Sequence, residues 1–343
     1  MEGALALAAS KDPPELVTFV IYNLPNRDCN ANASSGELCC NPDCDFTTSG
    51  DCLHGLARYV TDFIDPIADL LKRYSDLVPV AVVLEPDSLP NLATNMDQPR
   101  CGSSSTRDSY IQGIRYAMNA ISRASSNAAI YVDAGNSGWL GWREKMADYV
   151  EVVRKLGIVS KLRGFTTNVA NYLSLGVMCP TFDWCLDARY VNDTCCEDPC
   201  GNLDEWNPSV NEHNYALHLV TAMSKAFPGF SPRVIIDTSR NGAADAHLTC
   251  HGWCNQRGAG AGLIATSKTV NPDVLDAYFW LKNPGESDGC TEYLPDGSKC
   301  PRFDAACSTT QSLGAAEGEP GAPEAGKWFD LEAQSLATNA NLT

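Results

Sequence analysis

Asp28 and Asp87 are the residues whose surroundings point most directly to chemistry. Asp28 closes the motif Tyr22-Asn23-Leu24-Pro25-Asn26-Arg27-Asp28-Cys29, and Asp87 lies in Leu84-Glu85-Pro86-Asp87-Ser88-Leu89. Each motif follows a β-branched apolar run, Val17 to Ile21 and Val80 to Leu84. Both aspartates therefore fall just past the end of a predicted strand. In α/β barrels and open α/β sheets, that edge is where catalytic groups gather. Two carboxylates there suit acid/base work on an acetal, and glycoside hydrolysis is the commonest use of such a pair.

The other predicted strands end in the same way. Asp133-Ala134-Gly135-Asn136-Ser137-Gly138-Trp139-Leu140-Gly141-Trp142 follows one, and Thr167-Asn168-Val169-Ala170-Asn171-Tyr172 another. Asp237-Thr238-Ser239-Arg240-Asn241-Gly242 and Lys282-Asn283-Pro284-Gly285-Glu286-Ser287-Asp288-Gly289 complete the set. A single Asp after a strand is ordinarily a cap or a turn residue. Acids, amides and tryptophans at every exit together imply a binding site for a polar, ring-bearing ligand.

These residues need a scaffold. Apolar runs at 17–22, 79–84, 129–133, 162–167, 233–238 and 276–281 read as strands. Helical spacing marks 54–74, with Leu56, Val60, Phe63, Ile64, Ile67, Leu70, Leu71 and Tyr74 on one face. Pro66 is expected to break or kink that helix, with Asp65 capping its second half. Residues 107–123, 144–156, 211–227 and 327–340 also read as helices. The alternation predicts an α/β domain with a mainly parallel sheet and helices outside it. Six strands are fewer than a closed barrel wants, so the sheet is open or lacks its first strand. Residues 17–343 read as a single catalytic domain and 1–16 as a truncated N-terminal remnant. Segments 30–53, 177–210 and 284–326 are long, cysteine-bearing loops after strand ends.

The 343-residue chain has a formal charge of −17, which argues against nucleic acid or anionic membrane surfaces as partners. No stretch is long enough to span a bilayer. Sixteen cysteines, an even number, point to a disulfide framework and an extracellular setting. Zinc is the rival for Cys195-Cys196-x3-Cys200 and Cys250-x3-Cys254, but histidines are few and paired CxxC knuckles are lacking. Met1 to Ser10 carries Glu2 and too short an apolar run for a signal peptide. Secretion is still expected, with the chain beginning downstream of its natural start.

From Val17 to the Asn339-Ala340-Asn341 segment, these motifs resemble glycoside hydrolase family 6, the cellobiohydrolase II and endoglucanase family. The resemblance implies a distorted α/β barrel, inverting hydrolysis of β-1,4-glucan, no metal and no cofactor. It makes Asp87 the general acid, which must stay protonated through a raised pKa. It places Asp28 beside Asp87 to tune it, Ser34 on a relay water, and Tyr22 against the distorted sugar ring. Asp288 is the side-chain candidate for the base, with a water relay through Asp28 as the rival. An inverting pair leaves room for water, with carboxyls roughly 6.5–9.5 Å apart. Trp139, Trp142 and Trp253 match positions that stack on glucose, and Lys282 and Glu286 match residues that bind hydroxyls. Asp133 either tunes the site or binds a hydroxyl. Asn171 serves either the sugar or the protein, and Arg240 is expected in an internal salt bridge. Asn136 stands where the family commonly has a titratable His.

The resemblance also implies disulfides Cys29–Cys101 and Cys254–Cys307. It gives the other twelve cysteines no partners; local pairing within each cluster is expected, and adjacent cysteines such as Cys39 and Cys40 leave the connectivity open. The expected ligand is cellulose or a cello-oligosaccharide, bound by a monomer. Exo action is favoured by the long 290–307 segment, and an open-cleft endoglucanase is the alternative. A non-catalytic glucan-binding relic is the third reading, disfavoured by the presence of Asp28, Asp87 and Asp288 together.

Overall fold

The β-branched runs form six strands in a computed structural model that describes residues 1–243, 250 and 252–343. They are β1 (Val17–Ile21), β2 (Val80–Leu84), β3 (Ala128–Asp133), β4 (Gly164–Thr167), β5 (Arg233–Asp237) and β6 (Leu275–Phe279). All neighbours are parallel, and the order along the sheet is the order along the chain. Each crossover therefore steps the same way, and the twisted sheet curls into an open half-barrel. Every C-terminal strand end opens on one rim.

Both faces of the sheet are apolar, as a parallel sheet requires. Val80, Val82 and Leu84 face the helix layer, packed among Tyr59, Ile114 and Met118. On the concave face Ala81, Tyr131 and Ile235 form a smaller cluster. The whole of β2 is thus buried, which is why its sequence is an unbroken Val-Ala-Val-Val-Leu run.

The helices follow the periodicity with one correction. Pro66 does not break the helix beginning at Leu53. The chain widens into a π-helical turn at Tyr59–Ile64 and continues as Asp65–Arg73. The wider turn gives the proline ring room against the preceding carbonyls. Asp65 caps nothing; it accepts a hydrogen bond from the Tyr116 hydroxyl at 2.5 Å. Ahead of β1, Glu2–Ala9 form a further helix that buries Leu5 and Ala8 in the main core.

All sixteen cysteines are paired. Cys29–Cys101 and Cys254–Cys307 are present. Cys39–Cys44, Cys40–Cys52, Cys179–Cys195, Cys185–Cys196 and Cys290–Cys300 lie within their clusters. Cys200 departs from the expectation of local pairing: it bonds Cys250, tying the 177–210 loop to the loop after β5.

Candidate active site

The exits of β1 and β2 are locked to each other by a buried acid. Glu85, wholly buried, accepts from the Asn23 and Leu24 amides at 3.0 and 3.1 Å and from the Tyr59 hydroxyl at 2.7 Å. Burial pushes its carboxyl up to about 7, although those donors oppose the rise. The clamp sets the path of the Tyr22–Asp28 loop. Asn26, Asp28, Glu85 and Asp87 all adopt left-handed backbone, with φ of 58°, 57°, 51° and 64°. Such conformations cost energy in non-glycine residues and cluster where side-chain aim matters. Ser34 Oγ donates to Asp28 Oδ2, and the Arg27 guanidinium lies 4.3 Å over the Tyr22 ring. The Tyr22 hydroxyl is buried with no hydrogen-bond partner among the described residues.

Asp87 is held at its backbone by Asp133, whose Oδ2 accepts the Asp87 amide at 3.0 Å. Burial first, then the charges of Asp133, Asp28 and Asp288 in that order, push the Asp87 carboxyl well above the usual range. Asp28 is thus not its main electrostatic neighbour; Asp133 is. Asp133 lies at the end of β3 and also accepts from the Gly135 amide at 3.1 Å. It stands behind Asp87 and is not among the residues that line the cavity.

Asp288 has the opposite environment. It accepts from Arg240 Nη1 at 2.8 and 2.9 Å, from the Tyr172 hydroxyl at 2.7 Å and from the Asn255 amide at 2.9 Å. Lys282 Nζ stands 3.7 Å away. Burial would raise this carboxyl, but Arg240 and Lys282 outweigh it and hold Asp288 below the usual range. Arg240, fully buried, forms the internal ion pair expected of it.

These groups share one cavity of about 690 Å³ on the sheet rim. Tyr22, Asp28, Ser34, Asp87, Asn136, Trp139, Asn171, Trp253, Lys282 and Asp288 all line it. Trp139 is fixed by its indole N–H donating to Thr94 Oγ1 at 2.8 Å. Besides Asp133, two expected ligand residues are absent from the wall. Trp142 donates its indole N–H to the Glu205 carbonyl, and Lys145 Nζ covers one ring face at 3.8 Å. Glu286 accepts from Asn283 Nδ2 at 2.9 Å and bridges to Trp328 through its backbone. The cysteines once considered for zinc are consumed in disulfides, so their sulfurs are not thiolate donors.

Two loops meet across the site. The Asn32 amide donates to Asp304 Oδ2 at 2.9 Å, and Arg302 Nη1 donates to the Ser35 carbonyl at 3.0 Å. Cys29–Cys101 anchors the first loop and Cys254–Cys307 the second.

A profile of the glycosyl hydrolases family 6 matches residues 1–340. The chain belongs to that family. A relative in Aspergillus clavatus, "Probable 1,4-beta-D-glucan cellobiohydrolase C", is 36% identical over 97% of this chain and 62% of its own length. "Exoglucanase 3" of Agaricus bisporus is 34% identical over 99% and 66%. The chain therefore spans less than two thirds of these relatives. Among solved structures, the catalytic core of the Chaetomium thermophilum cellobiohydrolase Cel6A superposes with a TM-score of 0.76 at 33% identity, covering 99% of this chain and 83% of that one.

Within this family 6 site, sequence reasoning missed Glu85, Tyr172 and Glu332 as structural participants. Glu332 had a signal: it lies between Phe329 and Leu336 at helical spacing, an acid on an apolar stripe. Glu85 offered less, since its partners are fixed only when β1 and β2 pair.

Proposed function

We propose that this chain is an inverting β-1,4-glucanase that works from cellulose chain ends and releases cellobiose. The observation that carries the reading is one cavity holding two carboxyls in opposite states. Asp87 is kept protonated by burial and like charges, while Asp288 is kept ionised by Arg240 and Lys282. Carboxyls whose surroundings drive them apart in this way divide into acid and base.

In the proposed reaction, Asp87 donates its proton to the glycosidic oxygen as the C1–O bond breaks. Water attacks C1 from the opposite face, and its proton passes to Asp288, directly or through a further water. The new C–O bond has inverted configuration, and proton exchange returns both carboxyls to their starting states. Tyr22, which lines the cavity, packs against the ring at the point of cleavage. Trp139 and Trp253 offer flat faces for neighbouring glucose units, and Asn136, Asn171 and Lys282 offer hydroxyl partners. Asp28, bonded to Ser34, completes the electrostatic frame around Asp87. The scheme draws on side chains alone.

The contacts Asn32–Asp304 and Arg302–Ser35 support exo action, because they join two loops over the cavity. A roofed site threads a chain end more readily than it straddles a chain middle. We take the protein to be a secreted monomer; eight disulfides suit that setting. No helix among the described residues is long and apolar enough to cross a membrane.

The test compares viscosity loss with reducing sugar released on soluble cellulose. The native protein should release sugar with little viscosity loss, and the double substitution Arg302→Ala, Asp304→Ala should raise the viscosity loss per bond cut. A steep viscosity fall in the native protein would overturn exo action.

A further inference from the structure

The buried charge cluster behind Asp288 contains one member that the proposed mechanism does not use. Glu332 lies on the helix Asp330–Thr338 at 1% exposure, facing inward. Arg240 Nη1 donates to Glu332 Oε1 at 3.0 Å while also donating to both oxygens of Asp288 at 2.8 and 2.9 Å. The Tyr172 hydroxyl, 2.7 Å from Asp288 Oδ2, lies 3.4 Å from the same Glu332 oxygen. Glu332 Oε2 is buried and makes no hydrogen bond among the described residues. A single guanidinium nitrogen therefore serves two buried carboxyls.

We propose that Glu332 is a positioning residue that sets the basicity of Asp288 by competing with it for Arg240. The inference rests on the assignment of Asp288 as the proton acceptor. When Glu332 is neutral, the Arg240 charge acts on Asp288 alone and makes it a poor acceptor. When Glu332 is ionised, the guanidinium is shared and the like charge at Glu332 favours proton uptake by Asp288. The groups facing Glu332 are Arg240 after β5, Tyr172 after β4, and Lys282 and Asp288 after β6. Burial and the Asp288 charge raise the Glu332 carboxyl to about 7, against the pull of Arg240 and Lys282. The switch between the two arrangements thus falls near neutrality. A buried carboxyl on an otherwise apolar helix stripe has no packing advantage over leucine, which makes a purely space-filling role a poor explanation.

The experiment measures kcat against pH for the native protein, Glu332→Gln, Glu332→Asp and Asp288→Asn on a soluble cello-oligosaccharide. Gln keeps the shape and is neutral at every pH. The native-to-Gln ratio of kcat should be near one at acid pH and rise about threefold or more through neutrality, a Brønsted response to a stronger base. The proton-donor limb of Asp87 is common to both proteins and cancels in the ratio. Glu332→Asp should retain the rise. A ratio independent of pH, with Asp288→Asn inactive, would leave Asp288 as the acceptor and overturn the role of Glu332. Near-native turnover in Asp288→Asn would overturn both assignments. Thermal melting checks that each variant folds, and Glu332→Met replaces Gln as the neutral variant if Gln does not fold.

Discussion

Replacing Asp87 with Asn tests the acid assignment through two effects of opposite sign. Asn matches the shape of Asp, cannot donate a proton to a leaving group, and carries no charge. A positioned general acid contributes about 10²–10⁴-fold in rate, or roughly 3–5 kcal/mol at about 1.4 kcal/mol per tenfold. Stability should move the other way. In the unfolded chain Asp87 ionises near its ordinary value, whereas the folded protein holds it protonated to a higher pH. Each unit of that elevation costs about 1.4 kcal/mol of folding free energy at pH values above it. The cost is absent below the unfolded pKa and grows as pH rises toward the folded one. Asp87→Asn removes it, so the variant should match the native protein in acid and melt higher near neutrality. The kinetic assay pairs a cellotriosyl substrate bearing a dinitrophenyl leaving group with cellotetraose. The dinitrophenolate departs without a proton, so turnover should fall by orders of magnitude on cellotetraose and far less on the activated substrate. Equal losses on both, or a lowered melting point at neutral pH, would refute the reasoning.

Two further outcomes follow from the same geometry. Asp133→Asn removes the leading like charge on Asp87, so the alkaline limb of kcat/KM should move to lower pH by about one unit; an unmoved limb would show that Asp133 does not tune the acid. Removing the Cys29–Cys101 bridge by double substitution to Ser opens a span of 72 residues, which in the chain-entropy description costs about 4 kcal/mol. Urea denaturation should show most of that loss, and kcat should fall with it because Cys29 adjoins the strained Asp28.

The legible parts of this protein were those governed by near neighbours in the chain. Strand runs such as Val80–Leu84 and helix stripes such as Arg143–Leu156 carry their own periodicity, and their bounds matched within a residue or two. Asp28, Asp87 and Asp288 could be placed on one rim because strand exits share a rim in any parallel sheet, whereas the roles expected of them came from the family resemblance. What stayed hidden depended on distant partners. Trp142 looks like a sugar platform in its motif, yet the Glu205 carbonyl and Lys145 engage it. Asp133 sits in a motif as rich as that of Asp87, but the left-handed turn at Asp87 swings one carboxyl into the cavity and leaves the other behind it. The bond from Cys200 to Cys250 crosses between loops that no local spacing relates. Pro66 misled because a widened helical turn accommodates it.

Four of the five sulfurs in the 177–210 loop carry a consequence for the covalent identity of the molecule. Cys179, Cys185, Cys195 and Cys196 lie with all their sulfurs within 4.8 Å of one another. The unbonded pair Cys179 and Cys196 is separated by only 4.0 Å. Exchanging partners would therefore ask for little movement of the backbone, and two covalent isomers could share one shape. None of the residues between Cys179 and Cys200 lines the catalytic cavity. A preparation matured without a disulfide isomerase can thus hold a mixture in this loop that turnover does not register, and that only peptide mapping of the intact bonds would resolve. Quality control by activity alone would pass both isomers as one protein.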